Sequence, residues 1–338
     1  MEHRPLGKTG LQVTAIGVGC AQLGTLETDY AVRLVQRALE LGVNYFDTAR
    51  GYWDSEIKLG LALRGYPRER VIITTKTGGK TEEDAWRDIN ESLERLQVSY
   101  VDNCLLHSFH DLEDVEKRLG SGGAIKAFLR AKEEGLIRHI GFSTHRSDVA
   151  VAALQRFDFE LLLIPMNIVE REPLAELIPL CQERGVGVTI MKPVATGLLP
   201  AKLALRWLLQ QPVASIVPGT TTLEQLEENT SVESTPLSEE EERQVRELAR
   251  EWAHRRCRIC SLCLPCPQEI NIPVVLGTDV MYDHYRTLGA EGFAAFPWSQ
   301  KMMEDDLEGR QKTIAAIESC TRCGDCEKRC PYGLPIME

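Results

Sequence analysis

No run of about 18 apolar residues occurs anywhere in the 338-residue chain, so no part of it is expected to span a membrane. Its opening, MEHRPLGKTGLQV, carries charges but no apolar core, and a secretory signal is not expected either. Positive charge is in short supply. The 39 Lys and Arg residues face 50 Asp and Glu, and the net charge of -11 argues against nucleic acid or an anionic membrane surface as a partner. Two phosphate-binding glycine motifs are incomplete. TGGKT has Thr74 where a phosphate loop needs its leading Gly, and IGVGCAQLG has Gln22 where a dinucleotide fingerprint needs its third Gly. Together these absences describe a cytoplasmic protein in a reducing compartment, where disulfides are not expected.

Cysteine, by contrast, is abundant and uneven. Cys20, Cys104 and Cys181 lie scattered among apolar residues and read as small buried side chains. The other eight form two runs, Cys257-x2-Cys260-x2-Cys263-x2-Cys266-Pro267 and Cys320-x2-Cys323-x2-Cys326-x3-Cys330-Pro331. Two zinc ions would prefer paired CxxC knuckles separated by a longer loop. Three cysteines at two-residue intervals followed by Cys-Pro suit a cubane instead, one short loop facing three irons. The later run is the bacterial ferredoxin spacing, in which the fourth cysteine crosses to the other cluster. That pattern predicts two 4Fe–4S clusters, one on Cys257, Cys260, Cys263 and Cys330, the other on Cys320, Cys323, Cys326 and Cys266. The segments VVLGTDVMYDHYRTLGA and DDLEGRQKTIAAIES between the runs read as helical, so the module looks like an α-helical two-cluster ferredoxin domain.

The rest of the chain repeats one rhythm, a short apolar run followed by an amphipathic helix. VTAIGVG leads to DYAVRLVQRALELG, NYFDTA to SEIKLGLALRG, VIITTKT to EEDAWRDINESLERL, and VDNCLLH to AIKAFLRAKEEG. HIGFST, ELLLIPM, GVTIMKP and ASIVPG begin the last four units. The strands are continuous apolar runs rather than alternators, as in a parallel sheet covered on both faces. Eight such units predict an α/β fold, a (β/α)8 TIM barrel, with the opening HRPLGKTGLQVTAIG as a hairpin across its floor. Ser238 and Glu241 form a capping box for a helix leading into Cys257. The expected domains are a barrel over 1–250 and a small helical ferredoxin-like domain over 251–338.

Active sites of such barrels lie at the C-terminal strand ends. There stand Asp47, with Tyr52 five residues on, Lys76 and His107. An unperturbed tyrosine is a poor acid at neutral pH, but a nearby ammonium favours its phenolate and eases proton release. A carboxylate would hold that lysine charged, and a neutral histidine would orient a carbonyl. A hydride donor completes the chemistry, and nicotinamide is the natural one.

DTARGYWDSE, TTKT, LLHS, GFSTH and IVPGTTTLEQLEEN, in this order, resemble the aldo-keto reductase superfamily over roughly residues 3 to 240. With the tail, the chain resembles its iron–sulfur members. The resemblance implies Tyr52 as proton donor, Lys76 and Asp47 as its tuning pair, and His107 as carbonyl orienter. It also implies that Ser143 and Asn167 hold the nicotinamide carboxamide, and that Gly219, Thr220, Thr221, Gln225, Glu228 and Asn229 line the adenosine and phosphates. There are departures. Leu163 stands where many members have a carboxamide-binding Gln, and Met191 where many stack a Tyr. Gly219 and Gln225 replace the basic residues that hold a 2′-phosphate, which favours NAD(H) over NADP(H), although Lys192 could reach the phosphates.

A nicotinamide passes two electrons together and a 4Fe–4S cluster one at a time, so the clusters admit two roles. They could staple a small helical cap, with Tyr282, Tyr285, Phe293, Phe296 and Trp298 closing a substrate pocket or packing within the cap. They could instead relay electrons to or from a ferredoxin. The expected activity is reversible reduction of a small aldehyde or ketone to an alcohol by NAD(P)H. The alternative is a nicotinamide-binding redox sensor or electron-transfer partner with little turnover.

Overall fold

The computed structural model describes residues 1–278 and 307–338. The five aromatics from Tyr282 to Trp298, and most of the helical reading VVLGTDVMYDHYRTLGA, lie outside the described residues. The chain forms two compact units, Met1–Val245 and Arg246–Glu338.

The first unit is built on eight parallel strands: β3 (Val18–Gly19), β4 (Tyr45–Asp47), β5 (Ile72–Thr77), β6 (Val101–Phe109), β7 (Ile137–Thr144), β8 (Leu161–Pro165), β9 (Gly187–Met191) and β10 (Ser215–Ile216). They pair in sequence order, and parallel bridges Ile16↔Ile216 and Gly19↔Gly219 join the last strand to the first. The apolar strand runs follow from burial on both faces; every residue of β5 is buried.

Helices α1 (Thr28–Glu40), α2 (Ser55–Ala62) and α3 (Glu82–Leu96) follow the first three of these strands. In α1 the buried residues Ala31, Leu34, Val35 and Ala38 recur at helical spacing and form the stripe that packs inward. TGGKT serves as the lead-in to α3, whose first turn is capped by the Thr81 side chain accepting from Asp84 N at 3.2 Å. Two helices, α4 (Leu112–Leu119) and α5 (Ile125–Glu133), follow β6 where the sequence pattern predicts one. The circuit continues with α6 (Ser147–Arg156), α7 (Leu177–Glu183), α8 (Ala201–Leu209) and α9 (Leu223–Thr230).

The predicted first strand, VTAIGVG, is divided. Its first residues belong to β2 (Gln12–Thr14), which pairs antiparallel with β1 (His3–Pro5), and only Val18–Gly19 joins the barrel. Leu6 and Val13 of this hairpin, both fully buried, pack in one cluster with Tyr45, Leu105, Leu161 and Leu163. Burying each such side chain contributes about 1.5–3 kcal/mol, so the hairpin is a substantial part of the core. Gly7, with φ +54, brings the hairpin close to the start of β9: a Cβ there would lie 2.2 Å from Gly187 N.

Helix α10 (Glu239–Ala253) crosses from the first unit into the second, and its capping box is present, Ser238 N donating to Glu241 Oε2 at 2.8 Å and Glu241 N to Ser238 Oγ at 3.3 Å. The second unit adds a helical turn over 272–278 and helices Leu307–Ala316 and Asp325–Arg329. Its two cysteine runs are tied together by Arg329 Nη2, which donates to the Pro265 carbonyl at 2.8 Å. Among the described residues no helix is long and apolar enough to cross a membrane.

Candidate active site

Alternation along the strands decides what faces the barrel interior. Tyr45 and Asp47 share one face of β4, Thr74 and Lys76 one face of β5, and Asn103, Leu105 and His107 one face of β6. The inner layer is polar at one level: Thr74 Oγ1 donates to the Tyr45 hydroxyl at 3.0 Å and accepts from Asn103 Nδ2 at 2.9 Å. Above it, Lys76 Nζ donates to Asp47 Oδ1 at 2.6 Å and to the Thr48 carbonyl at 2.7 Å. Lys76 is fully buried and Asp47 nearly so. Burial works against the Lys76 charge, but Asp47 and Tyr52 outweigh it and raise its pKa. Burial likewise pushes the Asp47 carboxyl up, against the pull of Lys76. The 2.6 Å contact holds the two groups against each other in a buried site.

Tyr52 lies in the turn between β4 and α2. Lys76 Nζ is 4.8 Å from its ring centroid, and the ring meets that of His107 edge-on, centroids 5.6 Å apart. Burial pushes the Tyr52 phenol up while the Lys76 charge pulls it down. For His107, burial and then the positive charges of Lys76 and Arg118 push the pKa down to about 3, so the ring is neutral at physiological pH. The four residues predicted at the strand ends are thus brought together.

Two features that set this geometry carry no sequence pattern. The β6–β7 register shifts between Leu106 and Phe109, and Ser108 adopts φ 57. This bulge turns the strand just past His107 and lets Ser108 N donate to Ser143 Oγ at 2.8 Å. Arg118 of α4, 1% exposed, donates to the His107 carbonyl at 2.8 Å and the Thr77 carbonyl at 3.0 Å. It ties together the ends of the two strands that carry His107 and Lys76.

The residues predicted to hold a dinucleotide lie at the same end of the barrel. Asn167 follows β8, where its Oδ1 accepts from Val169 N and Glu170 N and its Nδ2 donates to the Lys192 carbonyl at 3.2 Å. Gly219 bridges to Gly19, and a Cβ on it would lie 2.5 Å from the Gln22 amide. Thr220, Thr221 and Asn229 are buried and Glu228 is exposed. The Gln225 side chain is turned inward: its Oε1 accepts from Thr221 N at 2.9 Å and caps the approach to α9. Leu163 and Met191 pack into the apolar cluster of the barrel interior. Two buried oxygens here, Asp47 Oδ2 and Gln22 Oε1, have no hydrogen-bond partner among the described residues, which fits a site that receives a polar ligand.

The family model for aldo/keto reductases matches residues 15–202 and 200–250. The chain belongs to the aldo/keto reductase family. A second model, the 4Fe-4S dicluster domain, matches residues 256–334. Among related aldo/keto reductase sequences, L-galactose dehydrogenase of Arabidopsis thaliana is 32% identical over 295 residues, spanning 71% of this chain and 92% of that protein. The NADH-specific methylglyoxal reductase of Escherichia coli is 26% identical over 324 residues, spanning 74% of this chain and 98% of that protein. Among solved structures, an aldo-keto reductase from Bacillus halodurans in its holo form matches with a TM-score of 0.65 and 32% identity, covering 74% of this chain and 96% of that one. This aldo/keto reductase is therefore an oxidoreductase with a 4Fe–4S dicluster domain.

The cysteines of the dicluster unit fall into two neighbourhoods. Burial pushes the Cys263 thiol up to about 11, and the electrostatic neighbours that add to the rise are Cys257, Cys260 and Cys330. Cys266, Cys320, Cys323 and Cys326 line a cavity of about 90 Å³ whose other walls include Ile270, Ile272, Val275 and Ile336. Four thiols around an apolar cavity fit a cubane cluster. Cys20, Cys104 and Cys181 are buried, and burial pushes each thiol up, that of Cys181 to about 12.

Proposed function

We propose that this protein reduces a small aldehyde or ketone to its alcohol, reversibly, by hydride transfer from NAD(P)H, with Tyr52 as general acid. One observation carries the reading: Tyr52 packs against both a neutral His107 and the Lys76–Asp47 pair, ring centroids 5.6 Å apart and Nζ 4.8 Å from the ring. When bound, the nicotinamide supplies hydride to the carbonyl carbon. The chain's part is position and proton. Neutral His107 donates a hydrogen bond to the carbonyl oxygen and fixes its angle. As charge gathers on that oxygen it takes the Tyr52 phenolic proton, and Lys76 favours the phenolate left behind. Asp47 keeps Lys76 charged and aimed.

In this reading Ser143 and Asn167 hold the carboxamide, Asn167 with the N–H not given to Lys192. Gly219, Thr220, Thr221, Gln225, Glu228 and Asn229 line the adenosine and its phosphates, with Lys192 near them. Neither Gly219 nor the inward-turned Gln225 offers a cation to a 2′-phosphate, which supports NAD(H) as the preferred form. The NADH-specific relative from Escherichia coli is in keeping with this. Two 4Fe–4S clusters would be held in the crossed pattern, in a reducing cytoplasm that preserves the thiolates.

Steady-state assays with NADH and NADPH, on the parent and on Tyr52→Phe, test the reading. Turnover should be abolished in the variant with nucleotide binding retained, and the parent should prefer NADH. Turnover unchanged by Tyr52→Phe sinks the assignment. The dicluster unit favours a second reading, electron exchange with a ferredoxin and little carbonyl turnover. EPR of the anaerobic protein after NADH or dithionite separates the two: a cluster signal raised by NADH supports the second.

A further inference from the structure

The turn that carries Tyr52 is gripped on both flanks by α3. On one side Arg50 Nε donates to Glu91 Oε2 at 2.8 Å. On the other, Arg95 Nη2 donates to the Trp53 carbonyl oxygen. Glu91 and Arg95 are four residues apart and so lie on one face of the helix. Trp53 has a φ of 44°, a left-handed backbone that a bulky aromatic residue rarely adopts, so this turn needs contacts to hold it. Room to relax is small beneath it: a Cβ on Gly24 would lie 2.4 Å from the Tyr52 carbonyl oxygen.

Arg95 is itself aimed by a carboxylate that the proposed reaction does not use. The Glu56 side chain is 0% exposed, and its Oε2 lies 3.1 Å from Arg95 Nε. Its other oxygen accepts from Thr75 Oγ1 at 2.6 Å. Thr75 immediately precedes Lys76 and, by alternation along β5, points away from the barrel interior. A single buried carboxylate thus links the strand that carries Lys76 to the guanidinium that holds the Tyr52 turn.

We propose that Arg95, oriented by Glu56, is a positioning residue that holds the Trp53 carbonyl and thereby places the Tyr52 hydroxyl between Lys76 and His107. Neither residue touches substrate. Loss of Arg95 frees the strained turn, and the phenol leaves its place while the nucleotide side of the barrel stays intact. The inference rests on Tyr52 as proton donor.

The test compares Arg95→Met, the double variant Glu56→Gln/Arg95→Met, and Tyr52→Phe, each as the full holoprotein. Arg95→Met should lower kcat between about 10-fold and 100-fold, the scale of a small misplacement of a reacting group, with the Kd for NADH unchanged. Its kcat–pH profile should also move to higher pH, because the phenol loses its fixed approach to the Lys76 charge. Arg95→Met alone strands a buried carboxylate and lowers Tm; Glu56→Gln removes that charge and should restore Tm. In the double variant kcat should stay low, since the Arg95 contact to the Trp53 carbonyl is still missing. If kcat recovers together with Tm, Arg95 acts through stability alone and the inference is wrong. The same follows if Arg95→Met keeps full kcat while Tyr52→Phe is inactive. Turnover surviving in Tyr52→Phe instead overturns the proton-donor reading, and this inference with it.

Discussion

Replacing Lys76 by Met is the sharpest perturbation of the barrel's chemistry, and its cost follows from the ion pair. Lys76 is fully buried and donates to Asp47 Oδ1 at 2.6 Å, while Asp47 Oδ2 has no hydrogen-bond partner among the described residues. Met fills much of the same volume, so the loss is electrostatic rather than a cavity. Removing one member of a buried pair typically costs about 3–5 kcal/mol, because the other charge is left without compensation. For a domain of this size that is a Tm decrease on the order of 10 °C. The deficit must depend on pH. Burial already pushes the Asp47 carboxyl up, and without Lys76 to oppose it the folded-state pKa rises further above its ordinary value of 3.8. The folded variant then binds more protons than the unfolded chain between those two values, so its stability falls as pH rises through that window. Thermal unfolding of parent and variant at about pH 5 and about pH 8 measures this, with the larger deficit expected at the higher pH. A deficit below about 1 kcal/mol, the range of a surface pair, or one independent of pH, refutes the argument that the pair is dry and uncompensated. Activity gives a second readout. Without the ammonium the Tyr52 phenol stays high, and carbonyl reduction should fall while NADH binding is retained.

The histidines at the barrel mouth make a prediction of opposite sign. Burial, with nearby positive charge, holds His107 and His145 down to about 3 against an ordinary value of 6.5, so the unfolded chain binds their protons first. Stability should therefore fall as pH is lowered through that window, by at most about 1.4 kcal/mol per pH unit for each ring and less after solvent screening; a Tm that stays flat there would falsify their burial as neutral groups. For the dicluster unit, the crossed grouping predicts that Cys266→Ala/Cys323→Ala loses one cluster while Cys260→Ala/Cys266→Ala disturbs both. Iron analysis of the anaerobically purified variants should give about half the parent iron for the first and markedly less for the second; the reverse order of losses would mean the fourth cysteines do not cross.

The barrel was legible in the sequence because it is averaged over many residues. A parallel strand buried on both faces has to be a continuous apolar run, and α1 has to repeat Ala31, Leu34, Val35 and Ala38 along one side. The cysteine runs were legible for a different reason: cluster ligation fixes short spacings. Helix α4 left no such trace. Its buried residues are Asp114, Val115 and Arg118, so it buries a charge pair rather than an apolar stripe. The bulge after His107 is likewise a property of two strands in register, visible in neither alone.

Arg95 and Glu56 show why the surroundings of a reactive side chain are harder to read than the side chain itself. Tyr52, Lys76 and His107 could be placed by a rule, since each sits at the C-terminal end of a strand or in the turn after it. Arg95 belongs to the last turn of an amphipathic helix, where a basic residue is expected for the helix dipole alone. Glu56 opens α2, where an acidic residue is expected for the same reason. Local preference therefore accounts for both residues without any contact between them. The information that they meet lies in a separation of 39 residues and in the packing of α2 on α3. What distinguishes Glu56 from an ordinary first-turn glutamate is complete burial, since a carboxylate is kept in a dry site only when its partners hold it there. Those partners are a threonine beside Lys76 and an arginine on the carbonyl that follows Tyr52, so the burial of one unreactive carboxylate is spent on the geometry of the reactive pair.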